Sequence, residues 1–400
     1  MKPGTTERLP GGTPILDRET PLPESSVPGP GSRVMLGVFA GLCVGIAALL
    51  VLWQPPFVES LHQWILTQVE ELFPGSWTFG RLLSVGLFSV LIGFSITAIH
   101  ELGHLIVGVC VGFRCSSMFL GPLQLNAPFR ISLNPDVRSW WHGGVRLVPG
   151  DPNEFRARAV AMVFAGPGAN LLTGCAVLLL PFPRGFFSWL FVVVSIVAGV
   201  AELVLPLRGA TFVHDGRRIW MLLRDRARGG RWLALMRLIA DTRAGVLPES
   251  MPAALLARAT AVRDDSADTV TAHAFAYSAA FHQHRDDEAA RRLETCLAHS
   301  GHAPPVVREA LMSDAAVFQA RRRKRVDLAD QWLAAMPART QHRWFRSRAE
   351  AAILEAKGDT AGALDKLTEV EAAIRTLPAS AQRETLLRLL ARWKSELGGS

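Results

Sequence analysis

The strongest chemical signal in the chain is a His-Glu-x-x-His pattern made by His100, Glu101 and His104. Residues four apart lie on the same face of a helix, so the two imidazoles can converge on one ion. In metal sites of this type two neutral imidazoles bind Zn²⁺, and the glutamate between them is the base that takes a proton from water. The pattern therefore predicts a zinc centre with two histidine ligands and Glu101 as catalytic base. Chance occurrence is the alternative.

The surroundings of this pattern are otherwise apolar. Between Leu82 and Phe113 the only formally charged residue is Glu101. A carboxylate near the centre of a bilayer costs about 2.5–3.5 kcal/mol even on a lenient insertion scale. A bound metal ion gives a reason for placing a carboxylate there, so the position of the motif argues against chance.

Four apolar runs are each long enough to cross a bilayer about 30 Å thick, which takes about 20 residues. They lie at about 34–53, 82–113, 159–180 and 186–205. Lysines and arginines concentrate in the N-terminal tail, in the loop after the second run and beyond the fourth run, so the positive-inside rule places both termini in the cytoplasm. We expect a multi-pass protein of a cell membrane. Its Ala/Arg-rich, Lys-poor composition is typical of a bacterial inner-membrane protein.

Composition indicates membrane lipid rather than nucleic acid as a partner. The chain has 43 Lys and Arg against 35 Asp and Glu, a formal net charge of +8. Many of the basic residues flank the apolar runs, and no basic patch is interleaved with aromatic residues in the way typical of nucleic-acid binding. The five cysteines form no Cys-x-x-Cys pair, so neither a disulfide framework nor a thiolate zinc site is indicated.

The segments between and around the apolar runs differ in character. Residues 1–33 are rich in Pro and Gly and show no apolar period, so we expect a disordered tail. Residues 114–158 contain short β-like runs separated by Gly and Pro, which predicts a hairpin or re-entrant strand bordering the metal site, with an ordinary loop as the alternative. The predicted membrane domain therefore covers residues 34–216, and a second domain follows at 217–400.

The second domain is rich in Ala, Leu and Arg, with a helical period and no strand signal. Three segments recur in it, each with an Ala-rich helix, a charged break and a second helix that carries Ala289, Ala329 or Ala363. These alanines are 40 and 34 residues apart, close to the period of tetratricopeptide hairpins. We expect a cytoplasmic α-solenoid that binds an unknown protein partner, and a plain helical bundle is the alternative.

Two histidines do not complete a catalytic zinc site, which usually has three protein ligands and a water. Asp215 is the candidate for the third ligand, because it follows a helix break beyond the fourth apolar run and Gly216 lets the backbone turn. His214 is the rival ligand. An unliganded Asp-Gly turn at the surface is a further alternative.

Three motifs follow one another along the predicted membrane domain. They are the His-Glu-Leu-Gly-His run at 100–104, the Ala-Gly-Pro-Gly-Ala-Asn run at 165–170, and Asp215-Gly216 beyond Pro206. Together they resemble the site-2 protease family of intramembrane zinc metallopeptidases, over about residues 82–216. The resemblance implies a mainly α fold, in which a polytopic bundle of membrane helices forms a cleft among three core spans.

The resemblance also implies a role for each motif. Zinc would be held by residues corresponding to His100, His104 and Asp215. Glu101 would be the catalytic base, and Asn170 would line the active site. Members of the family cut transmembrane segments of membrane-protein substrates, so the implied function is that of a zinc metalloendopeptidase in regulated intramembrane proteolysis.

One position departs from that family's usual pattern. Leu203 stands where an asparagine is usual, three residues before Pro206. The departure removes no expected ligand, but it bears on how a substrate is positioned. It keeps a second hypothesis open, in which the chain is a catalytically inactive membrane-anchored scaffold that binds a partner through its helical repeats.

Overall fold

The computed structural model describes residues 15–17, 67, 79–126, 130–133, 143–149, 155–179, 186–204, 214–337, 343–377 and 380–399. The predicted first span at 34–53 lies outside the described residues, as does most of the predicted disordered tail. Contacts divide the chain into two compact units. The first consists of residues 28–226, and the second combines residues 227–400 with residues 1–27.

Three long helices form the framework of the first unit. They are α1 (Phe79–Cys110), α2 (Phe155–Leu179) and α3 (Phe186–Val204), and each is long and apolar enough to cross a membrane. They lie where the second, third and fourth spans are predicted. Helix α1 ends earlier than the predicted Phe113, because Gly112, with φ of 92°, turns the chain out of the helix before the next strand begins.

Helix α2 continues through Pro167, although the Gly-Pro-Gly run predicts an opened helix. Proline removes one backbone hydrogen bond, and close packing of neighbouring helices compensates for the loss. Against α1, a Cβ at Gly103 would lie 2.7 Å from the Cβ of Ala169. Against α3, a Cβ at Gly199 would lie 2.9 Å from the Pro167 carbonyl oxygen. Small residues at both contacts therefore hold α2 in helical form.

A four-stranded antiparallel sheet lies between α1 and α2 in the sequence. Its strands, in the spatial order β3-β2-β1-β4, are β1 (Phe113–Leu120), β2 (Leu123–Asn126), β3 (Arg130–Leu133) and β4 (Gly143–Pro149). The sheet is larger than the predicted hairpin. Strand β4 packs on α1, where the Leu147 Cδ1 lies 2.5 Å from the position of a Cβ at Gly108. The sheet is thus fixed against the helix that carries the His-Glu-x-x-His pattern.

The short helix α4 (Asp215–Arg224) belongs to the first unit. Its Met221 and Leu222 are buried, and the Arg156 Nη1 of α2 donates a hydrogen bond of 2.7 Å to the Leu222 carbonyl oxygen. These contacts join α4 to α2. The structure consequently divides the chain after Arg226 and not after Gly216 as predicted.

The second unit is helical throughout its described residues. Three pairs of helices pack in the predicted order, and the repeat alanines Ala289, Ala329 and Ala363 are fully buried in the second helix of each pair. Side-chain caps define several helix starts, as where the Ser380 Oγ accepts from the Arg383 backbone N–H. The pairs are α7 with α8, α9 with α10 and α11 with α12, within the series α5 (Arg226–Arg243), α6 (Ala253–Ala259), α7 (Ala267–His282), α8 (Asp286–Ala298), α9 (Pro305–Arg321), α10 (Val326–Ala335), α11 (Arg343–Ala356), α12 (Thr360–Arg375) and α13 (Ala381–Gly398).

A single 3-10 turn at Ile15–Asp17 packs on the second unit. Leu16 is 2% exposed and belongs to the core of that unit. The prediction of a disordered tail is wrong for these residues. Two adjacent aliphatic side chains offer local apolar surface, which the Pro- and Gly-rich composition of the whole tail conceals.

A buried arginine links α5 to the start of α7. Arg231 is 2% exposed, and its guanidinium nitrogens lie 2.8 and 3.2 Å from the two Asp264 carboxylate oxygens. Burial disfavours the charged form of Asp264, but hydrogen bonds from Arg231, Ser266 and Arg228 together outweigh it and hold the pKa of this carboxyl well below its ordinary value. The arginine charge therefore depends on Asp264 for compensation.

We expect Asp264→Asn to destabilise the second unit, because the Arg231 charge stays buried without its anionic partner. Removing one member of a buried pair costs about 3 kcal/mol, which in a unit of this size lowers the thermal midpoint by about 6–12 °C. Melting of the full chain in detergent, followed by circular dichroism, measures the shift. The control is Asp268→Asn, since Asp268 is 37% exposed and lies 3.8 Å from Arg231. Equal shifts for the two variants would contradict this role of Asp264.

Candidate metal centre

Two imidazoles and one carboxylate converge in the first unit. The Nε2 atoms of His100 and His104 lie 3.1 Å apart. The Asp215 Oδ2 lies 3.2 Å from the first and 3.0 Å from the second. All three ligand atoms lie within 4.8 Å of one another, and the group could hold a metal ion. The structure therefore brings together the three residues that the sequence suggests as ligands.

Helix α1 presents the two imidazoles on one face, and α2 fixes their orientation. The His104 Nδ1 is 2.8 Å from the Met162 carbonyl oxygen of α2. A carbonyl can only accept, so the proton of a neutral His104 sits on Nδ1 and its Nε2 lone pair is free. Second-shell carbonyls of this kind set the tautomer of metal-binding histidines. His104 is therefore prepared to act as a ligand through Nε2.

Asn170 plays the corresponding part for His100. The His100 Nδ1 faces the Asn170 Nδ2 at 3.3 Å, while the Asn170 Oδ1 has no hydrogen-bond partner within the part of the chain described. The oxygen and nitrogen positions of a side-chain amide are assigned from hydrogen bonding. Exchanging the Oδ1 and Nδ2 positions of Asn170 places the acceptor Oδ1 next to the His100 Nδ1–H. This arrangement satisfies the buried oxygen. It also leaves the His100 Nε2 free to bind a metal.

The three converging atoms need a cation among them. Two bare Nε2 lone pairs and a carboxylate oxygen about 3 Å apart repel one another, and the side chains are only 9–14% exposed, so water screens them poorly. A metal ion offsets this repulsion, as a shared proton does in part. The donor chemistry thus fits a bound cation.

Gly166 leaves room for the group. A Cβ at this position would run into the His104 Nε2 and lie 2.8 Å from the His100 Nε2. Any larger residue would place a side chain between α2 and the imidazole nitrogens. The Gly-Pro-Gly run therefore serves the site through the first glycine's missing side chain, and not by opening the helix.

Glu101 lies beside strand β4. A Cβ at Gly143 would lie 2.8 Å from the Glu101 Cγ and 3.2 Å from its Oε1, and the backbone of Val145 hydrogen-bonds the same carboxylate. The strand expected to border the site does so, and β4 holds the carboxylate that the sequence suggests as the base. The alternative of an ordinary loop is wrong for residues 143–149.

Asp215 reaches the imidazoles as the first residue of α4. Its neighbour Gly216 is helical, and a Cβ there would run into the Leu203 carbonyl oxygen and lie 2.8 Å from that of Glu202. The prediction that Gly216 lets the backbone turn is wrong. The glycine is needed because α4 begins in close contact with the end of α3.

The rival ligand His214 has a different partner. Its Nδ1 lies 2.9 Å from the Glu202 Oε2. The hydrogen bond with Glu202 raises the pKa of His214 above its ordinary value, although partial burial opposes this. The structure therefore directs Asp215, and not His214, toward the two imidazoles.

Three contributors to the site were not predicted from the sequence. Met162 acts through its backbone carbonyl, which no side-chain pattern reveals. Ser195 of α3 donates a hydrogen bond of 3.1 Å to the Asn170 carbonyl oxygen. Gly143 gives Glu101 its space, and the Gly143-Gly144 pair in a strand was an available signal, because glycine inside a strand marks close approach.

Comparison of the chain with protein-family models, with curated proteins and with solved structures gives no match. The resemblance stated above therefore rests on the motif residues alone. Function has to be inferred from the geometry of the group and its surroundings.

We expect Gly166→Ala to abolish metal binding and Gly168→Ala to preserve it. The first change puts a Cβ against both Nε2 atoms, whereas the three atoms nearest to a Cβ at 168 all belong to the Phe164 ring, the closest at 3.1 Å. That ring is 49% exposed and can move aside. Elemental analysis of the full chain purified in detergent measures the metal content. Metal retained by Gly166→Ala at the parent level would contradict the assignment.

Proposed function

We propose that the chain is an intramembrane zinc metalloendopeptidase, which hydrolyses a peptide bond in or near a transmembrane segment of a protein substrate. The observation that carries the proposal is the convergence of Asp215, at the start of α4, with His100 and His104, which lie with Glu101 on a helix apolar enough to span a membrane. Two imidazole nitrogens and a carboxylate oxygen are a frequent ligand set of catalytic zinc, which keeps a further position open.

His100, His104 and Asp215 would hold the zinc ion, which would supply Lewis-acid activation of a water molecule and of a peptide carbonyl. Glu101 accepts the proton of the attacking water and then delivers it to the leaving amine nitrogen. Met162 and Asn170 hold the imidazoles in the tautomer that the metal requires. Strand β4 keeps the Glu101 carboxylate near the group, so that proton transfer needs no large movement.

The substrate has to lose helical structure before it is cut. A peptide carbonyl inside a membrane helix is hydrogen-bonded along the helix and shielded from attack. Gly, Pro or polar residues near the scissile bond ease local unwinding. We infer that such residues distinguish substrates from ordinary spans.

The turn at Ile15–Asp17 supports a topology with both termini on one side. This turn packs in the core of the second unit, so the tail and residues 227–400 share a compartment. A chain that returns to its starting side crosses the membrane an even number of times. The described residues contain three candidate spans, and the run at 34–53 supplies the fourth. We infer four spans with both termini cytoplasmic, in a cell membrane of bacterial type.

We infer further that the helix pairs of the second unit stack as a tetratricopeptide-like α-solenoid. The order of the pairs and the buried repeat alanines support this inference. Such an array recruits a protein partner or the substrate. An inactive scaffold with the same partner-binding unit is the second candidate. A parent chain that neither holds metal nor cleaves a membrane span would favour it.

Cleavage of a designed span tests the proposal. We expect proteoliposomes with the parent chain to cut a single-span peptide with Gly-Pro at its centre faster than an all-Leu span. We expect Glu101→Gln to slow cutting by about 100-fold or more, because proton transfer is lost. Mass spectrometry locates the cut. Glu384→Gln, at an exposed glutamate of α13, is the control and should retain the parent rate. Equal rates for the two spans, or for Glu101→Gln and the parent, would sink the proposal.

Labelling from each side of the membrane tests the topology. In a cysteine-free background, Thr6→Cys and Ser400→Cys should react with an impermeant maleimide from the same side. Ser76→Cys, between the first two predicted spans, should react from the opposite side. Labelling of Thr6→Cys and Ser400→Cys from opposite sides would exclude an even number of spans.

A further inference from the structure

The turn at Ile15–Asp17 occupies a groove of the second unit. Leu16 is 2% exposed and lies in a core with residues of α8, α9 and α10, and Ile15 packs against the same core. The hydrogen bonds from Ile15 and Leu16 to Glu294 join residues 279 and 278 positions apart in the chain. The contact is independent of the metal centre, which lies in the other unit.

The groove binds the backbone N–H groups of the turn through one carboxylate. The Ile15 backbone N–H donates to the Glu294 Oε1 at 2.6 Å, and the Leu16 backbone N–H donates to the Glu294 Oε2 at 2.8 Å. One carboxylate of α8 thus accepts two successive backbone N–H groups. Charge-assisted bonds of this kind are stronger and more directional than neutral ones.

The groove also binds a backbone carbonyl oxygen of the turn. The Leu16 carbonyl oxygen accepts from the Gln319 Nε2 at 2.7 Å and from the Trp332 Nε1 at 3.3 Å. Gln319 is 0% exposed and Trp332 is 4% exposed. With the turn in place, both donors are shielded from water, and the Leu16 carbonyl is an acceptor that satisfies them. The two side chains are therefore arranged for a peptide carbonyl.

The third residue of the turn, Asp17, is bound through its negative charge. The Asp17 carboxylate accepts from the Gln319 Nε2 at 3.1 Å and pairs with the Arg323 guanidinium. An acidic group is thus favoured directly after the buried leucine. Side-chain burial, backbone contacts and a cationic neighbour together specify a short sequence.

We propose that this groove is a peptide-recognition site for an aliphatic residue followed by Leu and Asp, and that the chain's own tail fills it in cis. A partner protein that presents the same motif must displace the tail. Binding of that partner would free residues 15–17, so the tail acts as a competing internal ligand.

The test uses the full chain in detergent and a fluorescein-labelled peptide of residues 10–20, followed by fluorescence polarisation. Leu16→Asp in the chain should empty the groove, because a carboxylate does not enter the apolar core. We expect this variant to bind the peptide at least tenfold tighter than the parent does. Leu9→Asp, which adds the same charge elsewhere in the tail, should behave like the parent. A chain lacking residues 1–20 should match Leu16→Asp.

A second pair of variants tests the contacts. In the Leu16→Asp background, Glu294→Gln should weaken peptide binding at least tenfold, because its amide offers only one acceptor oxygen to two N–H donors. Glu288→Gln on the same helix is the control. The proposal would be overturned if Leu16→Asp and the shortened chain bound the labelled peptide no more tightly than the parent does. A parent dimer that Leu16→Asp converts to a monomer in light scattering would also overturn it, since the tail would then act between copies.

Discussion

The first unit depends on one electrostatic constraint. Imidazoles and carboxylates placed among apolar helices have to be paired. Each unpaired buried polar group costs about 2–7 kcal/mol, and the net free energy of folding of a protein is only about 5–15 kcal/mol. His104 meets this constraint with Nδ1 on the Met162 carbonyl and Nε2 on the shared group, and His100 meets it with Asn170 and the same group. Asp215 supplies the negative charge that the group needs to hold a cation.

Satisfying this constraint requires helices to approach more closely than side chains normally allow. Gly103 brings α1 against α2, Gly166 clears the imidazole nitrogens, and Gly216 lets α4 begin at the end of α3. In lipid, where apolar surface gives helices little reason to associate, small residues and interhelical hydrogen bonds take over that task. The polar group of the first unit can therefore form only because these glycines let the helices approach closely.

Much of this could be predicted from the sequence, because apolar run length and the His-Glu-x-x-His spacing are direct consequences of bilayer thickness and helical geometry. The three described long helices and the meeting of His100 with His104 follow from these signals, whereas Asp215 was predicted from the helix break that precedes it. What could not be predicted concerns the backbone and close contacts. The roles of the Met162 carbonyl, of Gly166 and of Gly216 depend on which helix comes near, and spacing along the chain does not contain that information. Leu16 was missed for a different reason, since average composition over a tail hides one docked residue.

Metal content is the measurement that bears most directly on the central claim. The full chain is purified in detergent without chelator, its fold is checked by circular dichroism, and bound metal is determined by mass spectrometry for the parent, Glu101→Gln, His100→Ala and Asp215→Asn. We predict about one zinc per chain in the parent and in Glu101→Gln, and loss of zinc from the two ligand variants. A folded parent without metal, or an Asp215→Asn variant that holds zinc as tightly as the parent, would contradict the proposed centre.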